Sequence, residues 1–321
     1  MTSAQQPIGS GFGPASTVGD VLAGVDLTGK LAIVTGGYSG VGIEDVRGLS
    51  AAGATVVVPA RRVDEAKKAL DGMERVEIGE LDLADLASVR TFADRFLDGG
   101  REIDILINCA GVMAAPETRV GPGWEFQFAV NHLGHFALAN RLWPALSAGD
   151  GARVVAYSSR GHKFSDIRWD DLAFTGGYDK WHAYGQSKTA NALFALHLDK
   201  LGEASGVRAF SLNPGGIRTN LQRHVSPADQ IQLGWIDRDG NHLIQWKSPQ
   251  AGAATAAWAA TSAQLGGKGG VYLEDNEVAE IVDPSAPDAM KSGLHPYAAD
   301  PASAARLWDI SAELTGVNAF E

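Results

Sequence analysis

Lys30-Leu31-Ala32-Ile33-Val34-Thr35-Gly36-Gly37-Tyr38-Ser39-Gly40-Val41-Gly42 is the stretch that decides how this chain folds. Leu31 to Val34 form an unbroken apolar run, the pattern of a strand buried on both faces of a parallel sheet. The glycines end it, a helical stretch follows, and a second strand is predicted at Ala54 to Pro59. Glycine at a strand-to-helix turn lets the backbone bend tightly and lets a pyrophosphate approach the helix N-terminus, where unpaired amides and the helix dipole favour an anion. A glycine triplet alone is a weak signal. The flanking strands and helix make this one a dinucleotide-binding turn, with Gly36, Tyr38, Ser39, Gly40, Val41 and Gly42 as its lining.

The second strand ends at Pro59-Ala60-Arg61-Arg62, with no carboxylate before Asp64. An acidic residue there would bind a ribose 2′-hydroxyl, whereas arginine suits a 2′-phosphate, so Arg61 and Arg62 favour NADP(H) over NAD(H). The alternative is that one or both merely begin a solvated helix.

Strands and helices continue to alternate. A strand at Val76 to Leu81 precedes Asp82-Leu83 and a helix from Leu86 to Leu97; the apolar strand Ile103 to Ile107 ends in Asn108-Cys109-Ala110-Gly111. A helical period covers Trp124 to Leu146, and the strand Arg153 to Tyr157 delivers Ser158-Ser159. Repeated βα units of this length predict one doubly wound, mostly parallel sheet with helices on both faces, the Rossmann-type α/β class. Ligands of such sheets bind beyond the carboxyl ends of the strands, which is where Gly36, Arg61, Asp82, Asn108 and Gly111 fall.

The bulk properties point to a small molecule or another protein as the partner. The 321 residues are 45% hydrophobic and 20% charged, enough for a core of ordinary size. A net charge of −11 argues against nucleic acid or an anionic membrane surface as the main partner. Cys109 is the only cysteine, so an internal disulfide is excluded, a thiolate metal cage cannot be built, and a reducing, cytoplasmic location is expected. No run of about eighteen apolar residues is present, so no membrane span is expected.

Tyr184-Gly185-Gln186-Ser187-Lys188 opens a long apolar-periodic segment. Residues four apart share a helix face, which sets the Lys188 ammonium beside the Tyr184 phenol, and a nearby cation favours a phenolate. Asn131, inside an apolar helix, competes with the backbone for hydrogen bonds and needs a reason to be there. His132 and His135 have no third ligand nearby and read as helix-surface or core histidines rather than a metal site.

Thr35-Gly36-x-x-x-Gly40-x-Gly42, Asp82-Leu83, Asn108-x-Ala110-Gly111, Asn131, Ser159, Tyr184-x-x-x-Lys188 and Asn213-Pro214-Gly215 together resemble the short-chain dehydrogenases/reductases over about residues 28 to 283. Asn131 to Phe136, Ser158 to His162 and the long insertion before Tyr184 resemble the branch of retinol dehydrogenases, the WW-domain oxidoreductase and protochlorophyllide reductase. Two features depart from the family: Cys109 replaces a usual second asparagine, and the 25 positions from Ser159 to Tyr184 exceed the family's common span.

The resemblance implies interconversion of an alcohol and a carbonyl with Asn131, Ser159, Tyr184 and Lys188 as the catalytic set. Tyr184 would exchange the proton and Ser159 would polarise the substrate oxygen. Lys188 would lower the Tyr184 pKa and hold the nicotinamide ribose, and Asn131 would position a relay water. It also implies cofactor contacts from Asp82, Leu83, Asn108, Ala110, Gly111, Tyr184, Lys188, Pro214 and Gly215, with Ile217 and Thr219 near the nicotinamide carboxamide. A homodimer or homotetramer is expected. Two alternatives are a non-catalytic dinucleotide sensor, which would be expected to have lost Tyr184 or Lys188, and a reductase of a C=C bond. A serine hydrolase built on Ser39 fails on glycine spacing.

The domain reading is an N-terminal arm at 1–28, extended on the surface or partly disordered, a Rossmann-type domain at 29–283, and an extension at 284–321. Substrate loops are expected at about 160–183 and 216–247, the second either a lid or an irregular surface loop. Trp169, Trp181, Trp235 and Trp246 lie in these loops, pointing either to a bulky apolar or aromatic substrate or to packing. The tail either caps the site or packs on a neighbouring subunit.

Overall fold

The computed structural model describes residues 5–321, so the first four residues of the expected arm lie outside it. Strands β1 (Leu31–Thr35), β2 (Thr55–Ala60), β3 (Val76–Glu80) and β4 (Ile105–Asn108) build one side of the main sheet. A two-residue hairpin follows, β5 (Arg119–Val120) with β6 (Trp124–Glu125). The main sheet continues with β7 (Arg153–Tyr157), β8 (Arg208–Asn213), β9 (Val271–Glu274) and β10 (Glu277–Val278). Its order is β10-β9-β8-β7-β4-β1-β2-β3, parallel except for the β9–β10 pair. The strand order reverses between β1 and β4, and a doubly wound sheet opens its binding crevice at such a point.

Side chains alternate across each strand, and that alternation assigns the two cores. Ala32, Val34, Ile105, Ile107, Val155, Tyr157, Phe210 and Leu212 face one layer, made by the helices Gly42–Ala51 and Pro249–Thr261. Leu31, Ile33, Leu106, Val154, Ala156 and Ala209 face the other, with Phe92, Phe136 and Phe194 from the helices Leu86–Asp98, Gly134–Arg141 and Lys180–Gly202. The continuous apolar runs read from the sequence are therefore strands buried on both faces.

The span expected as one helix from Trp124 to Leu146 is interrupted. It begins as strand β6, widens into a π-type turn at Ala129–Leu133 and resumes at Gly134. Gly134 permits the approach behind it: a Cβ there would lie 2.3 Å from the Leu83 carbonyl oxygen.

Both ends of the described stretch are tied to the domain. Val18, Val21 and Leu22 are buried in the first core through a short helix, Val18–Val21, capped by Thr17. The Glu277 carboxylate accepts from the amides of Ile8, Gly9 and Ser10 at 2.8 Å each. The described part of the arm thus lies along the domain with an apolar anchor at Val18, Val21 and Leu22. The tail helix Pro301–Thr315 packs on the same chain: Trp308 stacks on Phe194 at 5.9 Å and 6° between planes, and Ser311 bonds His132 at 2.7 Å. Among the described residues no helix is long and apolar enough to cross a membrane.

Candidate active site

A cavity of about 730 Å³ runs along the carboxyl ends of the parallel strands. Gly36, Tyr38, Ser39, Gly40, Val41 and Gly42 line one stretch of it, as do Arg61, Arg62, Asp82 and Leu83. Ala110, Gly111, Pro214, Gly215, Ile217 and Thr219 contribute further, and Ser159, Tyr184 and Lys188 line it too.

The glycine turn is shaped by close backbone approach. Gly36 has φ +68°, and a Cβ on it would sit 2.8 Å from Ala110 Cα, across the point where the strand order reverses. Thr35 braces the same turn: its hydroxyl oxygen accepts from the amides of Cys109 and Ala110 at 3.0 and 3.1 Å. The His135 Nδ1 faces the Asn131 carbonyl at 3.0 Å, which obliges that nitrogen to donate; Nε2 then accepts the Thr35 hydroxyl proton at 2.9 Å. Burial holds His135 neutral, its pKa lowered to about 4, and His132 likewise to about 3. Both are core histidines. Among the described residues no cluster of three or more side chains could hold a metal ion.

Tyr184 and Lys188 lie on the helix Lys180–Gly202, which Asp179 caps by accepting from the amides of Trp181 and His182. Glycines make the site possible here. A Cβ on Gly161 would be 2.5 Å from Tyr184 Cε1, and one on Gly185 would be 2.8 Å from the Ser165 amide. The helix therefore presses against the turn that carries Ser159, and the phenol ring occupies the space Gly161 leaves. Sequence spacing does not single out Gly161 and Gly185, because it identifies helix neighbours, not two segments pressed together.

The phenol differs from expectation. Burial raises the Tyr184 pKa to about 12, against a lowering pull from the Ser159 hydroxyl. Lys188 does not offset that rise. Its Nζ lies 5.8 Å from the Tyr184 ring centroid and donates to the Tyr157 carbonyl at 2.9 Å. Burial lowers its own pKa to about 8. Sharing a helix face brought the two residues together but did not fix where the ammonium points.

Asn131 and Asn108 stand behind the cavity wall. The Asn131 amide donates to the Val112 carbonyl and the Ser187 hydroxyl at 2.9 Å each and accepts from the Val112 amide at 2.8 Å. It thus ties the loop after β4 to the Tyr184 helix. A Cβ on Gly111 would be 3.2 Å from Asn131 Oδ1 and 3.6 Å from Lys188 Nζ, so this glycine keeps space open beside the ammonium. Asn108 shares the sheet face of Leu106 rather than pointing into the cavity, and its side-chain amide is buried with no hydrogen-bond partner. Its neighbours Cys109 to Gly111 line the cavity instead.

The second wall comes from the loops. Phe164, Trp181, Trp235 and Trp246 line it, and the indoles meet edge to face at 6.5 Å (Trp181–Trp235) and 5.3 Å (Trp235–Trp246). Trp169 is not among them; it packs under the Arg306 guanidinium, 4.3 Å away. Lys180 pairs with Asp229 at 2.7 Å, tying the 216–247 segment to the start of the long helix. Met290 and Lys291 from the tail close the rim, held by Lys163 Nζ donating to the carbonyls of Ala289 and Ser292.

The residues fit a dinucleotide on their own chemistry. The helix Gly42–Ala51 starts without a side-chain cap, leaving its first amides free of a side-chain acceptor. Asp45 in that first turn accepts from the Tyr157 hydroxyl at 2.8 Å, and burial holds its pKa well above the carboxylate range, which weakens the charge it would set against an anion. Cationic side chains stand where β2 ends, and a glycine-lined channel leads from them to Tyr184.

The chain belongs to the short chain dehydrogenase family, whose model matches residues 30–230. It is therefore an oxidoreductase of a family that binds a nicotinamide dinucleotide. A probable oxidoreductase of Streptomyces lividans is 43% identical over 90% of this chain and 98% of its own. Mouse retinol dehydrogenase 14 is 35% identical over 90% of this chain and 86% of its own, which supports the retinol dehydrogenase-like branch. An uncharacterized protein of Mycobacterium paratuberculosis has a similar crystal structure, with TM-score 0.73 and 32% identity over 96% of this chain and 99% of that one. The NADP active-site complex of Pseudomonas aeruginosa RhlG gives TM-score 0.61 and 26% identity over 78% and 95%.

Proposed function

We propose that this protein interconverts an alcohol and a carbonyl with NADP(H), Tyr184 acting as the general acid or base. The observation that carries the reading is the placing of the Tyr184 phenol beside the Ser159 hydroxyl in a cavity continuous with the glycine turn and with Arg61 and Arg62. Bound NADPH would supply the hydride.

A phenol with a pKa near 12 is protonated at neutral pH, the form required to give a proton to an oxygen gaining negative charge during carbonyl reduction. Ser159 Oγ accepts from the Gly161 amide at 2.9 Å, which leaves its own proton to donate to the same substrate oxygen. Lys188, with a pKa near 8, exchanges protons close to neutral pH and stands one helical turn from the phenol that must be reprotonated. Asn131 acts from behind by holding the Gly111–Val112 loop. Any relay water would meet its main-chain carbonyl, which already accepts from His135, because the side-chain amide is fully engaged. The indoles of Trp181, Trp235 and Trp246 favour a bulky apolar or aromatic substrate.

Tyr184→Phe tests the reading. Turnover on a panel of carbonyls, followed by NADPH absorbance, should fall by about 10²- to 10⁴-fold, the span associated with general acid catalysis. NADPH affinity should stay near wild type. Near-normal turnover would overturn the assignment.

A further inference from the structure

The end of the cavity where β2 finishes carries more positive charge than that strand provides. Arg61 and Arg62 follow β2, whereas Arg223 comes from a distant part of the chain, the 3-10 helix Asn220–His224 within the 216–247 segment. All three line the same cavity. The helix is seated there by its cap: Thr219 accepts from the Leu221 amide, and a Cβ on Gly40 would lie 3.5 Å from Thr219 Cβ. The segment is thus in contact with the glycine turn.

The charges of the cluster are poorly compensated. Arg62 pairs with Glu65 at 2.9 Å, with both side chains about half exposed. Arg223 Nη1 donates to the Asn220 carbonyl of its own helix at 3.2 Å. Among the described residues neither Arg61 nor Arg223 has a carboxylate at ion-pair distance. Burial, together with the charges of Arg61 and Arg62, pushes the Arg223 guanidinium below its usual value. Guanidiniums that repel one another around a cavity are relieved by a dianion placed between them, and their forked donors match phosphate oxygens.

We propose that Arg223 completes a clamp with Arg61 and Arg62 for the 2′-phosphate of NADP(H), so that the wall of the substrate chamber takes part in choosing the cofactor. The inference rests on the NADP(H) reading above and adds a residue from outside the glycine turn and the β2 end. It also links two regions. Leu221 and Val225, on either side of Arg223, pack in the cluster of Met113 and Tyr184, so a phosphate that fixes Arg223 braces the chamber at the same time.

The test is equilibrium binding to wild type, Arg61→Ala, Arg223→Ala and Arg223→Lys, by calorimetry with NADPH, NADH, adenosine 2′,5′-bisphosphate and 5′-AMP. For Arg223→Ala the two ligands bearing the 2′-phosphate should weaken by roughly 10- to 100-fold while NADH and 5′-AMP change by less than about two-fold, as expected for losing one charge-assisted contact. Arg223→Lys should recover part of the loss, because charge is kept and the fork is not. Equal weakening of all four ligands would overturn the proposal by showing general damage to the segment, and so would no weakening. If wild type shows no preference for 2′-phosphorylated ligands and Arg61→Ala does not alter that, the NADP(H) reading itself falls. If Arg61→Ala abolishes the preference and Arg223→Ala keeps it, only the role of Arg223 falls.

Discussion

The two walls of the cavity are built by different physics. One consists of residues at the carboxyl ends of β1, β2, β4, β7 and β8, each fixed by a ladder of parallel pairing such as Thr35 opposite Asn108. The other is assembled from three returns of the chain, around 160–183, 216–247 and 289–291, joined by side-chain contacts such as Lys180 with Asp229, Trp181 with Trp235, and Lys163 with the carbonyls of Ala289 and Ser292. On the first wall a residue's position follows from its place in a strand. On the second it depends on partners about fifty or more than a hundred residues away, as Lys180 depends on Asp229 and Lys163 on Ala289. Local pattern places most of the first wall, whereas for the second it marks the loops and not which of their side chains meet.

Acid is the most severe way to test whether the second wall is as firmly closed as the first. His132 and His135 stand behind the strand-end wall, and His162 lies under the loops, with Nδ1 2.7 Å from the Ser159 carbonyl and Nε2 3.2 Å from the His295 amide. Burial lowers all three pKa values from 6.5, to about 3, 4 and 3 respectively. The unfolded chain therefore binds protons that the folded chain refuses, and stability falls as pH drops below 6.5. Between pH 7.5 and 5.5 each histidine costs about 1.4 kcal/mol, so urea unfolding should show a loss of about 4 kcal/mol from the three. In His162→Gln about a third of that pH dependence should vanish. If it does not, the loop wall opens to water in solution and the comparison breaks.

A smaller effect is expected where the walls touch. Gly161→Ala would place a methyl 2.5 Å from Tyr184 Cε1, and the ring must move. Misplacing a reacting group by about 1 Å can cost roughly 10²-fold in rate. kcat with a carbonyl substrate should fall to that extent while NADPH affinity is kept, and an unchanged kcat would mean that the phenol tolerates displacement. The mildest change is Lys180→Ala. The side chains of the Lys180–Asp229 pair are 31% and 12% exposed, and a pair so open to solvent contributes less than about 1 kcal/mol. Urea unfolding should register no more than that; a larger loss would show that this contact governs how the 216–247 segment docks.

The sequence made the first wall readable and much of the second unreadable for the same physical reason. Four-residue apolar runs such as Leu31 to Val34 read as buried strands because both faces of this sheet are covered. Gly36, Gly40 and Gly42 stood out because backbone conformation limits which residues fit. Tyr184 and Lys188 were placed on one face by helical period, yet the ammonium turns to the Tyr157 carbonyl and the phenol pKa rises, because burial depends on what packs around a helix. Loop position alone groups Trp169 with the other three indoles, and only packing separates it from them. The Asn108 side-chain amide lies buried behind the lining formed by Cys109 to Gly111, a matter of strand alternation that residue type alone does not give. Arg223 carries no local signal, since the two arginines it shares the cavity with lie about 160 positions earlier.

The edge-to-face contacts of Trp181, Trp235 and Trp246 have an optical consequence. Indole emission overlaps the absorption of a reduced nicotinamide, and Trp181 and Trp235 line the cavity that leads to Tyr184. Excitation of the protein should therefore be passed to a bound dihydronicotinamide and end when that ring is oxidised. The loop wall would then report each turnover through its own fluorescence, with no label attached.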